Sequence, residues 1–220
     1  MEEYISVLKH TRLFNGVGED EIAAMADCMQ FREQKFKKDE YVFRSGEYTR
    51  SIALLVRGEL LIQKDDYWGN RSIVDRVSVG ETFGEAYAMQ DSEAILNDVV
   101  ATQDSTVLMF QVEKLLKVCT NSCKFHNIVI QNLMQIVSAK YRMLTQKIDY
   151  MSKRSTREKL IAYLSAQSKR SGSPVFDIEF NRQQLADFLS VDRSAMSNEL
   201  CKMRDEGMLT FDRNHFELIG

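Results

Sequence analysis

Asn181-Arg182-Gln183-Gln184-Leu185-Ala186-Asp187-Phe188-Leu189-Ser190-Val191-Asp192-Arg193-Ser194-Ala195-Met196-Ser197-Asn198-Glu199-Leu200-Cys201-Lys202-Met203 reads as two short amphipathic helices and the turn between them. Asn181 can cap the first helix, and Gln184, three residues on, completes a capping box. Leu185 and Leu189 then share one face. Asp192 can cap the second helix, whose apolar positions are Met196, Leu200 and Met203. Two helices this short, with small Ala186 at their crossing, describe a helix-turn-helix. The residues left facing outward from the second helix are Arg193, Ser194, Ser197 and Asn198. These are short or donor-rich, the chemistry that reaches base edges and phosphates in a major groove. The pattern by itself also fits a pair of core helices with incidental polar faces.

Working outward, Gly207 to Phe211 and His215 to Ile219 read as two strands joined through Asp212-Arg213-Asn214, which makes a wing. Upstream, a short strand is expected from Val175 to Phe180, behind the break Ser171-Gly172-Ser173-Pro174. Before that break lies a helix from Thr156 to about Gln167, with Leu160, Ile161, Tyr163 and Leu164 as its apolar face. Ser152-Lys153-Arg154-Ser155 marks a boundary.

Across that boundary the pattern is a heptad. Ile130, Met134, Val137, Tyr141, Leu144, Ile148 and Met151 follow one another in alternating steps of four and three, the spacing of a coiled-coil seam. Phe125, Val129, Leu133 and Ile136 form a second stripe, one face over. Two apolar stripes need two things to pack against. One alternative is a long helix lying across its own barrel. The reading adopted is that one stripe meets the barrel and the other meets the same helix of a second subunit.

Glycine marks the first part of the chain. Gly46, Gly58, Gly69, Gly80 and Gly84 come at roughly eleven-residue intervals or closer, and none follows until Gly172, so short strands with turns between them are expected before about residue 113. The strand-like runs are Tyr41–Phe43, Ile52–Val56, Leu60–Ile62, Arg71–Val74, Val99–Ala101 and Thr106–Phe110, with a hairpin tip at Asp65 to Asn70 and an acid-started helix from Glu19 to Met29. Such a series suggests a barrel or sandwich.

Lys plus Arg number 29 against 32 Asp plus Glu, a net charge of −3, so a nucleic-acid partner would have to be met by a local patch. No uninterrupted apolar run is long enough to span a membrane, and the acidic start Glu2-Glu3 does not resemble a secretory signal. Four scattered cysteines (Cys28, Cys119, Cys123, Cys201) do not form a disulfide framework. These features together suggest a cytoplasmic protein with no membrane partner. An enzyme reading lacks parts: His10, His126 and His215 are far apart, and no nucleophile elbow, phosphate loop or zinc-protease motif is present.

The ordered set of motifs resembles the Crp/Fnr family of transcription regulators over nearly the full length. Leu13-Phe14-Asn15-Gly16-Val17 is similar to the family's opening. Gly80-Glu81-Thr82-Phe83-Gly84-Glu85-Ala86 is similar to the glycine-bearing turn of its cyclic-nucleotide-binding barrel. The seam helix matches its dimerisation helix, and Arg182 to Met203 its DNA-reading pair. The resemblance implies an α+β chain: a jelly-roll sensor over 1–113 with its N-terminal helix, a dimerisation helix region over 114–151, and a winged helix-turn-helix over 152–220. It implies a homodimer on an inverted repeat of double-stranded DNA, with bases read by Arg193, Ser194, Ser197 and Asn198 and phosphates held by Arg182 and Arg213. For an activator, RNA polymerase would be a further partner. The competing functional reading is a ligand-sensing module that acts through protein partners without DNA.

The resemblance places an effector pocket at Gly84, Glu85, Ala86, Ile95, Leu96, Leu144 and Thr145. Relatives that bind cyclic AMP carry an Arg-Ser pair where Ile95 and Leu96 stand here, so a cyclic phosphate would find no cation and cyclic AMP is not the expected ligand. They also usually place Glu at the position of Ser194 and often Arg at that of Asn198, so the usual operator is not assumed. Cys119, Cys123 and His126 share one helical face and could offer three ligands to zinc or an iron–sulfur cluster. They are read instead as packing residues.

Overall fold

The runs Ile52–Val56 and Val107–Phe110 are unbroken by polar residues because both of their strands are covered on two sides. The computed structural model describes residues 2–68, 71–89, 93–116 and 124–219 and divides into two compact units, Met1–Ser138 and Ala139–Gly220. The first unit contains α1 (Glu2–Lys9), α2 (Glu19–Met29), β1 (Arg32–Phe36), β2 (Tyr41–Phe43), β3 (Ser51–Arg57), β4 (Leu60–Asp65), β5 (Arg71–Val77), β6 (Thr82–Phe83), α3 (Glu85–Ala88), β7 (Asp98–Ala101), β8 (Ser105–Gln111) and α4 (Val112–Leu116). The long helix α5 (Lys124–Ser152) begins in this unit and ends in the next.

Two four-stranded sheets, ordered β1-β8-β3-β6 and β2-β7-β4-β5, form the sandwich. Side chains of β3 and β8 alternate between two cores. Ala53, Leu55, Val107 and Met109 point into the sandwich with Val42, Phe43, Phe83 and Val99. Ile52, Leu54, Leu108 and Phe110 point the other way, under α2, α4 and the start of α5. Val129 and Leu133 of α5 are buried in that outer core, and Asn132 pins the helix by donating to the backbone oxygens of Leu13 and Asn15 at 3.0 and 2.8 Å. The expected second stripe is therefore the one that meets the first unit.

The heptad seam behaves differently along its length. Ile130 and Val137 pack partly against the outer core. Tyr141, Leu144 and Ile148 are 70%, 60% and 67% exposed, and Met134, Met143 and Met151 are exposed with them. Among the described residues, the later half of the seam stays exposed.

The second unit holds α6 (Thr156–Ser171), β9 (Val175–Asp177), α7 (Arg182–Leu189), α8 (Arg193–Asp205), β10 (Leu209–Asp212) and β11 (His215–Leu218). Ser155 and Glu158 form a capping box at the start of α6, and Gly172 closes its end in the left-handed region. The sheet order is β10-β11-β9. The strand expected from Val175 to Phe180 stops at Asp177. Beyond its three-residue pairing with β11, the chain is held by Ile178 donating to Asn214 O at 2.9 Å and then turns into the cap of α7. The helices α1, α3 and α4 had no sequence signal strong enough to anticipate.

Gly58, between β3 and β4, has φ +95°, and an added Cβ would meet the backbone Cα of Ser105 at 2.7 Å. Gly46 has φ +90° with open space around it. Gly46→Ala should therefore cost about 1–2 kcal/mol for left-handed backbone alone, and Gly58→Ala distinctly more. Urea midpoints of the two variants, compared with the parent, check the order.

Candidate nucleic-acid interface

The turn between α7 and α8 is built by local hydrogen bonds. Asn181 accepts from Gln184 N at 2.9 Å, and Gln184 Oε1 accepts from Asn181 N at 2.9 Å, so the expected capping box is present. Ser190 takes φ 51° at the end of α7, and Val191 N donates back to Ala186 O at 3.0 Å. Lys159 Nζ, from α6, donates to the carbonyls of Leu189 and Ser190 at 3.0 and 3.2 Å, which satisfies acceptors that a helix end leaves open. Asp192 then caps α8, its carboxylate accepting from Ala195 N at 2.7 Å. Leu185, Ala186, Leu189, Met196, Leu200 and Met203 are all buried in one core with Phe176, Leu209 and Phe216.

Burial of one face fixes what the other presents. Arg193, Ser194 and Asn198 are exposed and Ser197 is half-buried, so the structure brings these four side chains together on the first two turns of α8. Two carboxylates on this helix are neutralised locally. Asp192 spends its charge on the helix N-terminus. Glu199 is drawn to Arg157 of α6, at 3.3 Å, and Arg157 also grips Glu206. That pairing holds the Glu206 carboxyl below the usual carboxylate range. Arg157 and Lys159 were not found from the sequence. Their only signal is a basic residue in the first turns of a helix, where acids are usual.

The expected two-stranded wing is present, with Leu209 opposite Leu218 and Asp212, expected in the connection, instead paired with His215 at the end of β10. Arg213 stands exposed in the two-residue turn at φ 51°. Arg182, expected at a phosphate, is half-buried, with its guanidinium over the rings of Phe211 and Phe216 and Cζ 4.8 and 5.0 Å from the two centroids. Its Nη2 is buried without a hydrogen-bond partner. Burial lowers its pKa from the ordinary arginine value.

Of the residues expected to form an effector pocket, Gly84, Glu85, Ala86, Ile95 and Leu96 lie in the first unit. Gly84, at φ +81°, could not be another residue without strain, since a Cβ would sit 3.0 Å from the Phe43 ring and 3.3 Å from Ser51 O. Glu85 is buried behind it, while Ala86 is exposed. Ile95 is buried in the sandwich, its backbone bonded to Gly46 and Glu47. Leu96 is 65% exposed. Leu144 and Thr145 are exposed on the second unit's part of α5. Among the described residues of the first unit no Lys or Arg is buried, and the buried polar side chains of its strands and of α3 are Gln63, Thr82, Glu85, Ser105 and Thr106. Cys119 and Cys123 lie outside the described residues, and His126 is buried in α5.

Comparison with known proteins agrees with this geometry. Residues 33–122 match the family model of the cyclic nucleotide-binding domain, and residues 158–219 that of the Crp-like helix-turn-helix domain. The chain is 22% identical over 203 residues to the cyclic AMP receptor protein of Thermus thermophilus, covering 92% of this chain and 89% of that one. Among solved structures it is similar to the Thermus thermophilus catabolite activator protein, with TM-score 0.55 and 21% identity over 95% of this chain and 94% of that one. It is also similar to the c-di-GMP responsive global regulator CLP of Xanthomonas campestris, with TM-score 0.58 and 15% identity over 92% and 100%. At these identities the two structures speak for the fold.

Removing the cap of α8 tests how the reading face is held. Asp192→Ala should destabilise the second unit by about 1 kcal/mol, and Asp192→Asn by much less. Urea unfolding followed by helical circular dichroism measures both.

Proposed function

The chain belongs to the Crp/Fnr family of DNA-binding transcription regulators, and we propose that it acts as a homodimer that reads an inverted repeat in double-stranded DNA. The observation that carries this reading is the exposed N-terminal face of α8, whose Arg193, Ser194 and Asn198 are free of the unit's own core. The uncovered later half of the α5 seam supports the second copy. Twofold symmetry places two such faces about one helical turn apart on the duplex. Arg193 is the residue for guanine, because its fork matches O6 and N7 together. Arg213, at the wing tip, takes a phosphate.

Control comes from a small molecule or state sensed in the sandwich. The absence of a buried cation among the described residues of the first unit argues against a ligand held by its cyclic phosphate. The effector shifts the population of two arrangements of the seam, and through it the spacing of the reading helices. No described helix is long and apolar enough to cross a membrane.

Selection of the full chain on random duplexes, with and without cell extract as a source of effector, should enrich a palindrome. Enrichment of none would refute the reading and favour a protein-binding module. On the selected site, Arg193→Ala should lose about 1–3 kcal/mol and relax preference at one base pair per half-site. Arg213→Ala should weaken all sequences alike and flatten the salt dependence. Calorimetry with cyclic AMP should show no micromolar binding.

A further inference from the structure

We infer that Arg182 is a positioning residue for the wing, a cationic strut that fixes Arg213 through the rings of Phe211 and Phe216. The inference rests on the reading of Arg213 as a phosphate contact.

Arg182 occupies the first position of α7, directly after its cap. From there its guanidinium crosses to the sheet and covers two rings that face each other across β10 and β11. The rings are 6.0 Å apart and tilted by 34°. Phe216 is fully buried and stacks in turn on Phe176 of β9, at 6.2 Å and 15°. Arg204 of α8 places a second guanidinium on Phe211, at 5.7 Å. The ring of Phe211 is therefore addressed from both helices of the reading pair. The Phe211–Phe216 rung lies immediately below the Asp212–His215 pair that carries the turn, with Arg213 in it.

The two-residue turn has no core of its own: Asn214 is tied to Ile178 by two hydrogen bonds, at 2.9 and 3.1 Å, which leaves the Arg213 side of the turn to the last rung that packs. Here that rung is held to α7 by a cation rather than by an aliphatic side chain. No carboxylate pairs with Arg182 in any described ion pair, and one of its nitrogens is buried without a partner. A half-buried cation without an anion is costly unless aromatic faces take its charge. The planar guanidinium can lie against two ring faces at once, which a lysine ammonium cannot. The arrangement joins the wing to the helix pair without a carboxylate partner for Arg182 in any described ion pair.

The test uses the full chain on its selected duplex and reads the slope of log K against log salt. Arg213→Ala should lower the slope by about 0.9 per half-site, one phosphate's worth of released counterions. Arg182→Met keeps length and apolar contact with the rings but removes the charge. It should lower the slope by the same amount, and the double variant by no more than either single one. Phe211→Leu approaches the strut from the other side without touching α7, and should give the same slope loss, again without adding to Arg213→Ala. It serves if Arg182→Met fails to fold by circular dichroism. A double variant that loses twice the single amount would make Arg182 a phosphate contact in its own right and overturn the inference. An unchanged slope in both Arg182→Met and Phe211→Leu would reduce the contact to fold stability and overturn it as well. If Arg213→Ala itself leaves the slope unchanged, the wing reading fails first and the strut has nothing to position.

Discussion

A helix cannot keep a row of large apolar side chains in water without a partner to cover them, and α5 has such a row. Tyr141, Leu144, Ile148 and Met151 lie on one seam, all exposed, with Met143 beside them. Covering what each still exposes would contribute part of the ~1.5–3 kcal/mol that full burial of a large apolar side chain supplies. The first unit has used the other stripe, through Val129 and Leu133. Because the sequence repeats in sevens, the surface it offers is self-complementary in pattern. The two-fold account of the reading helices depends on that one surface.

The second dependence is electrostatic. The chain carries a net charge of −3, yet it is read as a partner of a polyanion. The reconciliation is local. Asp192 is spent on a helix N-terminus, and Glu199 is drawn to Arg157. What remains on the presented turns of α8 is Arg193 with hydroxyl and amide groups. In the sandwich the balance is reversed: Glu85 is buried and no described cation is buried with it. The two units therefore carry different chemistry on one chain, with α5 continuous between them.

Much of the fold was legible because it is written locally. Helix caps act over three residues, so the Asn181–Gln184 box and the Asp192 cap could be read directly from the sequence. Strands buried on both faces announce themselves as unbroken apolar runs, and α2 emerged with the bounds expected from Glu19 to Met29. The heptad was legible as a period, and its division between a covered and an uncovered stripe followed from having two stripes. What could not be read depends on residues distant in sequence. Arg182 looks like any first-turn cation until Phe211 and Phe216 fold over it. Lys159 and Arg157 support the reading pair from a helix some thirty residues upstream. The early stop of β9 is set by how far β11 extends, which no local signal in Val175 to Phe180 records. The effector position was legible only through resemblance; of its residues, Ile95 is buried and Leu96 exposed.

The account is tested most directly by the mass of the native chain in solution. Sedimentation equilibrium at micromolar concentration should give the mass of two chains, and Leu144→Glu, which puts a carboxylate from each copy into the seam, should give the mass of one. A native chain that sediments as a single copy, with the same helical content as the variant, would leave the seam uncovered and contradict the twofold reading of DNA.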